Sequence, residues 1–117
     1  MIKRIQIGPR MSQAVIHGST VYLAGQVCPA DNGAATVAAQ AKVILAQIDR
    51  LLAEAGTSKQ NLLSATIWLQ DMSTFSEMNE VWDKWVVPGS TPARATVEAR
   101  LAGPQYLIEI AVIAAVG

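Results

Sequence analysis

The sequence predicts an α+β fold: one mixed β-sheet with two helices packed on one of its faces, in a single domain spanning residues 1–117. Three observations predict it. Short runs with period-two alternation and longer runs with helical spacing follow one another as strands, helix, strand, helix, strands, so the strand-helix-strand unit recurs. At 117 residues the chain has room for one core and none for a separate cofactor-binding module. The last run, Leu107 to Ala115, is apolar on both sides: Ile108, Ile110, Val112 and Ala114 point one way, and Leu107, Ala111, Ile113 and Ala115 the other. A strand buried on both faces needs a layer on each. The helices supply one layer, so the other is expected from a second copy of the chain, in a homo-oligomer whose subunits meet through open sheet faces.

The elements follow in order. Ile2 to Ile7 reads as a short edge strand ended by Gly8-Pro9, and Ser12 to Ile16 with Thr20 to Gly25 as a hairpin turning at His17-Gly18-Ser19. The run from Ala30 to Thr36 is a loop rich in turn formers. Thr36 caps a helix running to about Ala55, in which Val37, Ala41, Ile44, Ile48, Leu51, Leu52 and Ala55 recur at helical spacing, and Gly56 stops it. Leu62 to Leu69 is a strand with Ala65, Ile67 and Leu69 on one side. Thr74-Phe75-Ser76-Glu77 has the form of a capping box opening a second helix, whose buried stripe is Met78, Val81, Trp82 and Trp85. Pro88-Gly89 ends that helix. The next strand puts Arg94, Thr96, Glu98 and Arg100 on one face and Ala93, Ala95, Val97, Ala99 and Leu101 on the other, the second set being the candidate core. A Gly103-Pro104 turn then leads into the last strand.

Composition narrows the function. The formal net charge is zero, from nine Lys and Arg against nine Asp and Glu, which removes the electrostatic footprint of a protein whose main partner is nucleic acid or an anionic membrane. Charged residues make up 15% and hydrophobic residues 51%, so apolar surface is in excess for a small domain and part of it is expected between subunits. The longest apolar runs are too short to span a bilayer and the first residues, MIKRIQIGPR, lack a signal-peptide h-region; a cytoplasmic protein is expected. Cys28 is the one cysteine and His17 the one histidine, which forms neither an internal disulfide nor a zinc site. No metal is expected.

The chain contains no G-x-S-x-G elbow, Walker loop, GxGxxG turn or HExxH helix. What remains is a guanidinium, Arg94, and a carboxylate, Glu109, each set among apolar neighbours that make its burial expensive. Arg presents a planar fork of donors suited to a carboxylate. A nearby carboxylate not consumed by that fork can hold a water and move protons, which typically contributes about 10²–10⁴-fold. One reading is therefore a site for a small carboxylate-bearing molecule. The other is a cross-strand ion network in which Arg94 and Glu109 pair with each other or with Glu98 and Arg100. His17 reads as an exposed turn residue, Cys28 as a buried small hydrophobe, and Trp82 and Trp85 as core; Trp68 is a candidate for a pocket or interface. Gly25-Gln26 is either a close backbone approach to a ligand or a bulge at a strand end.

Several segments, in this order and spacing, carry a resemblance. They are Ile7-Gly8-Pro9 with Ser12-Gln13-Ala14-Val15, Leu23-Ala24-Gly25-Gln26-Val27, the helix from Gln40 to Gly56, and Leu69-Gln70-Asp71-Met72. Asn79-Glu80-Val81-Trp82, Pro92-Ala93-Arg94-Ala95-Thr96-Val97-Glu98, Ala99-Arg100-Leu101 and Ile108-Glu109-Ile110 complete the set. Over nearly its whole length the chain resembles the Rid (reactive intermediate deaminase) family, also called YjgF. The resemblance implies a chorismate-mutase-like fold, a homotrimer with active sites in the clefts between subunits, and cofactor-free hydrolysis of enamine and imine intermediates such as 2-aminoacrylate to a 2-oxo acid and ammonia. By position, Arg94 matches the arginine that holds the substrate carboxylate and Glu109 the glutamate that positions water. Backbone near Ala93 and Thr96, together with Met11 and Gly25, would complete the binding of a small 2-imino acid.

The chain departs from the family pattern where tyrosine is usual and Met11 stands, where serine is usual and Ala24 stands, and where cysteine is common and Thr96 stands. The rim changes while Arg94 and Glu109 remain, which points to altered substrate choice with the chemistry kept. A non-catalytic protein of the same fold that binds a small carboxylate and regulates a partner is the alternative. Glu109→Gln separates the two, since it spares binding and removes turnover.

Overall fold

The structure, a computed structural model, describes residues 1–116. Strands β1 (Ile2–Ile7), β2 (Ser12–His17), β3 (Thr20–Leu23) and β4 (Gln26–Val27) precede helix α1 (Val37–Glu54). Strand β5 (Leu62–Leu69), helix α2 (Phe75–Trp85), strand β6 (Ala93–Glu98) and strand β7 (Ile108–Ala115) complete the chain. All strands join one sheet in the order β1-β2-β3-β7-β5-β6, with β4 also pairing β7. Pairing is antiparallel except between β5 and β6, which run parallel because α2 carries the chain back between them. Among the described residues, no helix is long and apolar enough to cross a membrane.

Helix α1 is held at both ends by the groups its sequence supplies. Thr36 accepts a hydrogen bond from the Ala39 N–H (3.1 Å), and Glu77 of α2 accepts from the Ala38 N–H (2.8 Å), so two of the unpaired donors of the first turn are satisfied. At the other end Gly56 takes φ +86°, which lets its N–H reach Ala53 O (3.0 Å) and the Thr57 N–H reach Leu52 O (2.9 Å). Ile44, Ile48 and Leu52 from α1 and Met78 from α2 are fully buried with Ile67, Leu69, Ile108, Ile110 and Val112 from the sheet. Each such aliphatic side chain contributes about 1.5–3 kcal/mol through its removal from water. The two helices cover one face, as the order of elements predicts.

Three details differ from the sequence-based expectation. The hairpin's second strand stops at Leu23 and resumes as β4. Tyr22 pairs with Ile113 and Gln26 with Ile110, so three residues face two, and the extra residue bulges at Ala24-Gly25. The capping box does not form. Met72–Thr74 is instead a single 3-10 turn, capped by the Asp71 carboxylate accepting from Ser73 N–H (2.9 Å), and Thr74 makes no side-chain cap bond. Glu77, the other half of the expected box, is engaged with α1. In β6 the apolar positions Ala93, Ala95 and Val97 are exposed and Arg94 and Thr96 are half-buried, the reverse of the candidate core. The helices lie over the polar set, and the apolar set belongs to the open face.

That open face carries Tyr22 (46% exposed) and Val97 (45% exposed) with the half-buried Trp68, Ala111 and Ile113, and no helix among the described residues covers it. Strand β7 alternates strictly between buried residues on the helix side and half-buried residues on the open side.

Candidate active site

Register decides where the two candidate charges project. Arg94 of β6 lies beside Ala65 of β5, which lies beside Val112 of β7. Neighbours across a sheet share a face, and Ala65 and Val112 are buried under the helices, so Arg94 projects to the helix side. In the parallel row, Val97 lies beside Trp68, which lies beside Glu109. Glu109 therefore projects from the open side. The sheet separates the two groups, and among the described residues they project from opposite faces.

The Arg94 half is built on the edge strand against α2. The guanidinium carbon lies 5.3 Å from the Trp82 ring centroid and 5.8 Å from that of Phe75. The ring quadrupoles attract the cation at these distances. Phe75, Asn79 and Trp82 recur at i, i+4 and i+7 and so share one face of α2. Asn79 Oδ1 and Thr96 Oγ1 are buried without a hydrogen-bond partner among the described residues. Buried acceptors of that kind are uncommon in folded proteins and draw attention to what would satisfy them. Glu98, a partner in the ion network considered from the sequence, accepts instead from the Met72 N–H (2.8 Å) at the start of the 3-10 turn.

The Glu109 half lies on the open side of β7. Its carboxylate runs against the Gly25 backbone so closely that a Cβ on Gly25 would overlap Oε2 and stand 3.0 Å from Cδ and 3.3 Å from Cγ. The bulge at Ala24-Gly25 brings that backbone in, and only glycine leaves the room. Trp68 is the cross-strand neighbour of Glu109. Ala93 is exposed on the open face of β6, and Met11, at 56% exposure, stands in the connection between β1 and β2.

Sequence reasoning missed Phe75, Asn79 and the part Trp82 plays beside Arg94. Their signal was the i, i+4, i+7 spacing on α2, but it reads as ordinary core until β6 is known to lie alongside. Of the other singled-out residues, His17 is exposed at the end of β2. Cys28 is buried, and burial followed by the negative charge of Asp31 pushes its thiol pKa up, against a nucleophilic role.

The fold and this divided arrangement define a class: a small α+β protein with an arginine and a glutamate on opposite faces of one mixed sheet. The comparisons identify the family. The family model described as Endoribonuclease L-PSP matches residues 1–116. Escherichia coli YoaB, a RutC family protein, is 44% identical over 115 residues, covering 98% of each chain. A RutC family protein of Haemophilus ducreyi is 41% identical over 116 residues, covering 99% of this chain and 97% of the relative. Among solved structures, NMB1025 of Neisseria meningitidis, a member of the YjgF protein family, superposes with a TM-score of 0.96 at 45% identity, covering 100% of this chain and 96% of that one. The chain belongs to the Rid/YjgF family.

Proposed function

We propose that the protein hydrolyses small 2-imino acids, and their enamine tautomers, to 2-oxo acids and ammonia, at sites formed between the subunits of a homotrimer. The observation that carries this reading is that neither Arg94 nor Glu109 has an ion-pair partner among the described residues. Arg94 rests on aromatic rings and Glu109 on a glycine, with the sheet between them. Two unpaired charges kept apart at that cost are suited to a ligand reaching both, and the uncovered apolar face supplies the surface on which a neighbour's β6 edge would bring its Arg94 toward Glu109.

In that cleft Arg94 holds the substrate carboxylate through paired N–H donors. The imine carbon is already electrophilic, so the reaction needs orientation, water and proton transfer, and no metal or organic cofactor takes part. Glu109 takes a proton from water as the oxygen adds to C2 and passes it to the imine nitrogen, forming a carbinolamine. It then takes the hydroxyl proton and passes it to nitrogen as the C–N bond breaks, leaving the 2-oxo acid and ammonia. Backbone near Ala93 and Thr96 offers the substrate further hydrogen bonds beside Arg94.

The test uses two inactive variants, Arg94→Ala and Glu109→Gln, and 2-iminopropanoate generated in the assay. Each alone is expected to lose about 10²-fold or more in imine decay, and Glu109→Gln to retain binding of the 2-oxo acid. Co-expressed in equal amounts, they are expected to recover about a quarter of wild-type activity, because that share of inter-subunit sites pairs an intact Arg94 with an intact Glu109. Wild-type protein no faster than buffer removes the deaminase reading and leaves carboxylate binding. Active wild type with no recovery in the mixture removes the shared site.

A further inference from the structure

Behind the Glu109 half, on the other side of Gly25, runs a chain of side-chain amides. Gln26 is 7% exposed. Its Nε2 donates to Gln13 Oε1 (2.9 Å) and to the carbonyl of Ala24 (3.1 Å), and its Oε1 accepts from Gln47 Nε2 of α1 (3.2 Å). Gln47 Nε2 also donates to Val27 O (3.2 Å). The orientation of the Gln26 amide is settled by these partners, since the Ala24 carbonyl can face only its NH2. Ala24 is thereby held at both polar groups, because its own N–H donates to Gln13 O (2.9 Å).

The Ala24–Gly25 peptide is trans, so its N–H points opposite to its C=O. With the carbonyl drawn toward Gln26, the Gly25 N–H is turned away from the amides, and it has no protein acceptor among the described residues. The Glu109 carboxylate crosses Gly25 at the same point.

We infer that Gln26 is a positioning residue for the Glu109 half of the site, setting the orientation of the Ala24–Gly25 peptide and, through Gly25, the seat of the carboxylate and the direction of a backbone N–H available to substrate. Gln47 and Gln13 hold Gln26 in turn, which ties the site to α1. This deepens the catalytic reading given above and rests on it. A purely structural role would make Gln26 one more satisfied buried amide whose loss affects stability alone.

The experiment compares Gln26→Met, which keeps length and removes every polar partner, with Thr57→Val. Thr57→Val removes the hydroxyl bond to Ala115 O (2.6 Å) at the far end of β7. Both are assayed with 2-iminopropanoate for kcat, KM and the pH dependence of kcat, and for hydrogen exchange at the Ala24 amide, which donates to Gln13 O. Gln26→Met is expected to lower kcat by about 10–100-fold with KM within about threefold, to move the acid limb of the profile, and to speed Ala24 exchange by about 10-fold or more. Thr57→Val leaves all four as in the wild type. A folded Gln26→Met with wild-type kcat, pH profile and exchange overturns the inference. Should the wild type prove inactive on imines, the deaminase reading falls by itself. Ala24 exchange and the crystal structure of Gln26→Met then decide positioning: a displaced Glu109 carboxylate supports it and an unmoved one overturns it. Should Gln26→Met fail to assemble, Gln47→Met removes the donor to Gln26 Oε1 and Val27 O and leaves the Gln26 bonds to Gln13 and Ala24 in place. It is expected to lower kcat by about 3–10-fold in the same direction, and an unchanged kcat with unchanged exchange overturns the inference.

Discussion

Gly25→Ala adds one methyl group at the tightest point of the Glu109 half. The φ angle of Gly25 is not in the left-handed region, so alanine can adopt the backbone and the penalty is one of space alone. The new carbon would overlap Oε2 and lie 3.0 Å from Cδ and 3.3 Å from Cγ, whereas ordinary contact begins near 3.4 Å. The carboxylate must therefore swing aside by about an ångström. Overpacking of this kind costs about 1–3 kcal/mol. Alanine returns about 0.4–1 kcal/mol by restricting the unfolded chain, so net destabilisation stays near 2 kcal/mol or below and the protein remains folded. Catalysis suffers more, because a displacement of about 1 Å in a reacting group costs about 10²-fold. The assay is steady-state hydrolysis of 2-iminopropanoate beside thermal unfolding and a crystal structure. A folded Gly25→Ala with wild-type kcat, or with Glu109 unmoved, would refute the assignment of Gly25 as the seat of the carboxylate.

Two further predictions concern titrating groups. Asp71 is exposed, and the bond it accepts from the Ser73 N–H holds its carboxyl below the usual range. With a folded pKa lower than the unfolded one, its contribution is complete above the unfolded value, about 4, and vanishes as pH falls through the folded value. Asp71→Ala is therefore expected to lower the unfolding temperature at about pH 7 and to leave it unchanged near pH 2; an equal loss at both would show that the cap bond is not the cause. For Cys28, burial and then Asp31 raise the thiol pKa. Iodoacetamide at about pH 7.5 should label it at least about 10-fold more slowly in the native protein than in urea. Equal rates would expose the thiol and contradict its burial.

Local pattern carried most of the fold. The helical spacing of Val37 to Leu52, capped by Thr36 and stopped by Gly56, needs only near neighbours, and it appears in the structure with the predicted caps. The doubly apolar last strand appears as β7 with one covered and one uncovered face. What failed depended on distant partners. Glu77 joined α1 instead of Thr74 because the Ala38 N–H lies within reach across the helix pair. The β3 run broke at Gly25 because β7 offers one residue fewer over the same span.

The sequence by itself determined the elements, their order, the excess of apolar surface and the two residues whose charge is out of keeping with their surroundings. Alternation and helical periodicity are properties of a few consecutive residues, so they survive in one dimension. The tertiary structure alone decided that Arg94 and Glu109 leave opposite faces, since the face of a side chain is relative to a register set by β5 between them. It also decided that Phe75 and Trp82 hold Arg94 and that three glutamines from β2, β4 and α1 meet behind Gly25. Those contacts join residues up to 21 positions apart, and such proximity exists only once the sheet has closed on its helices.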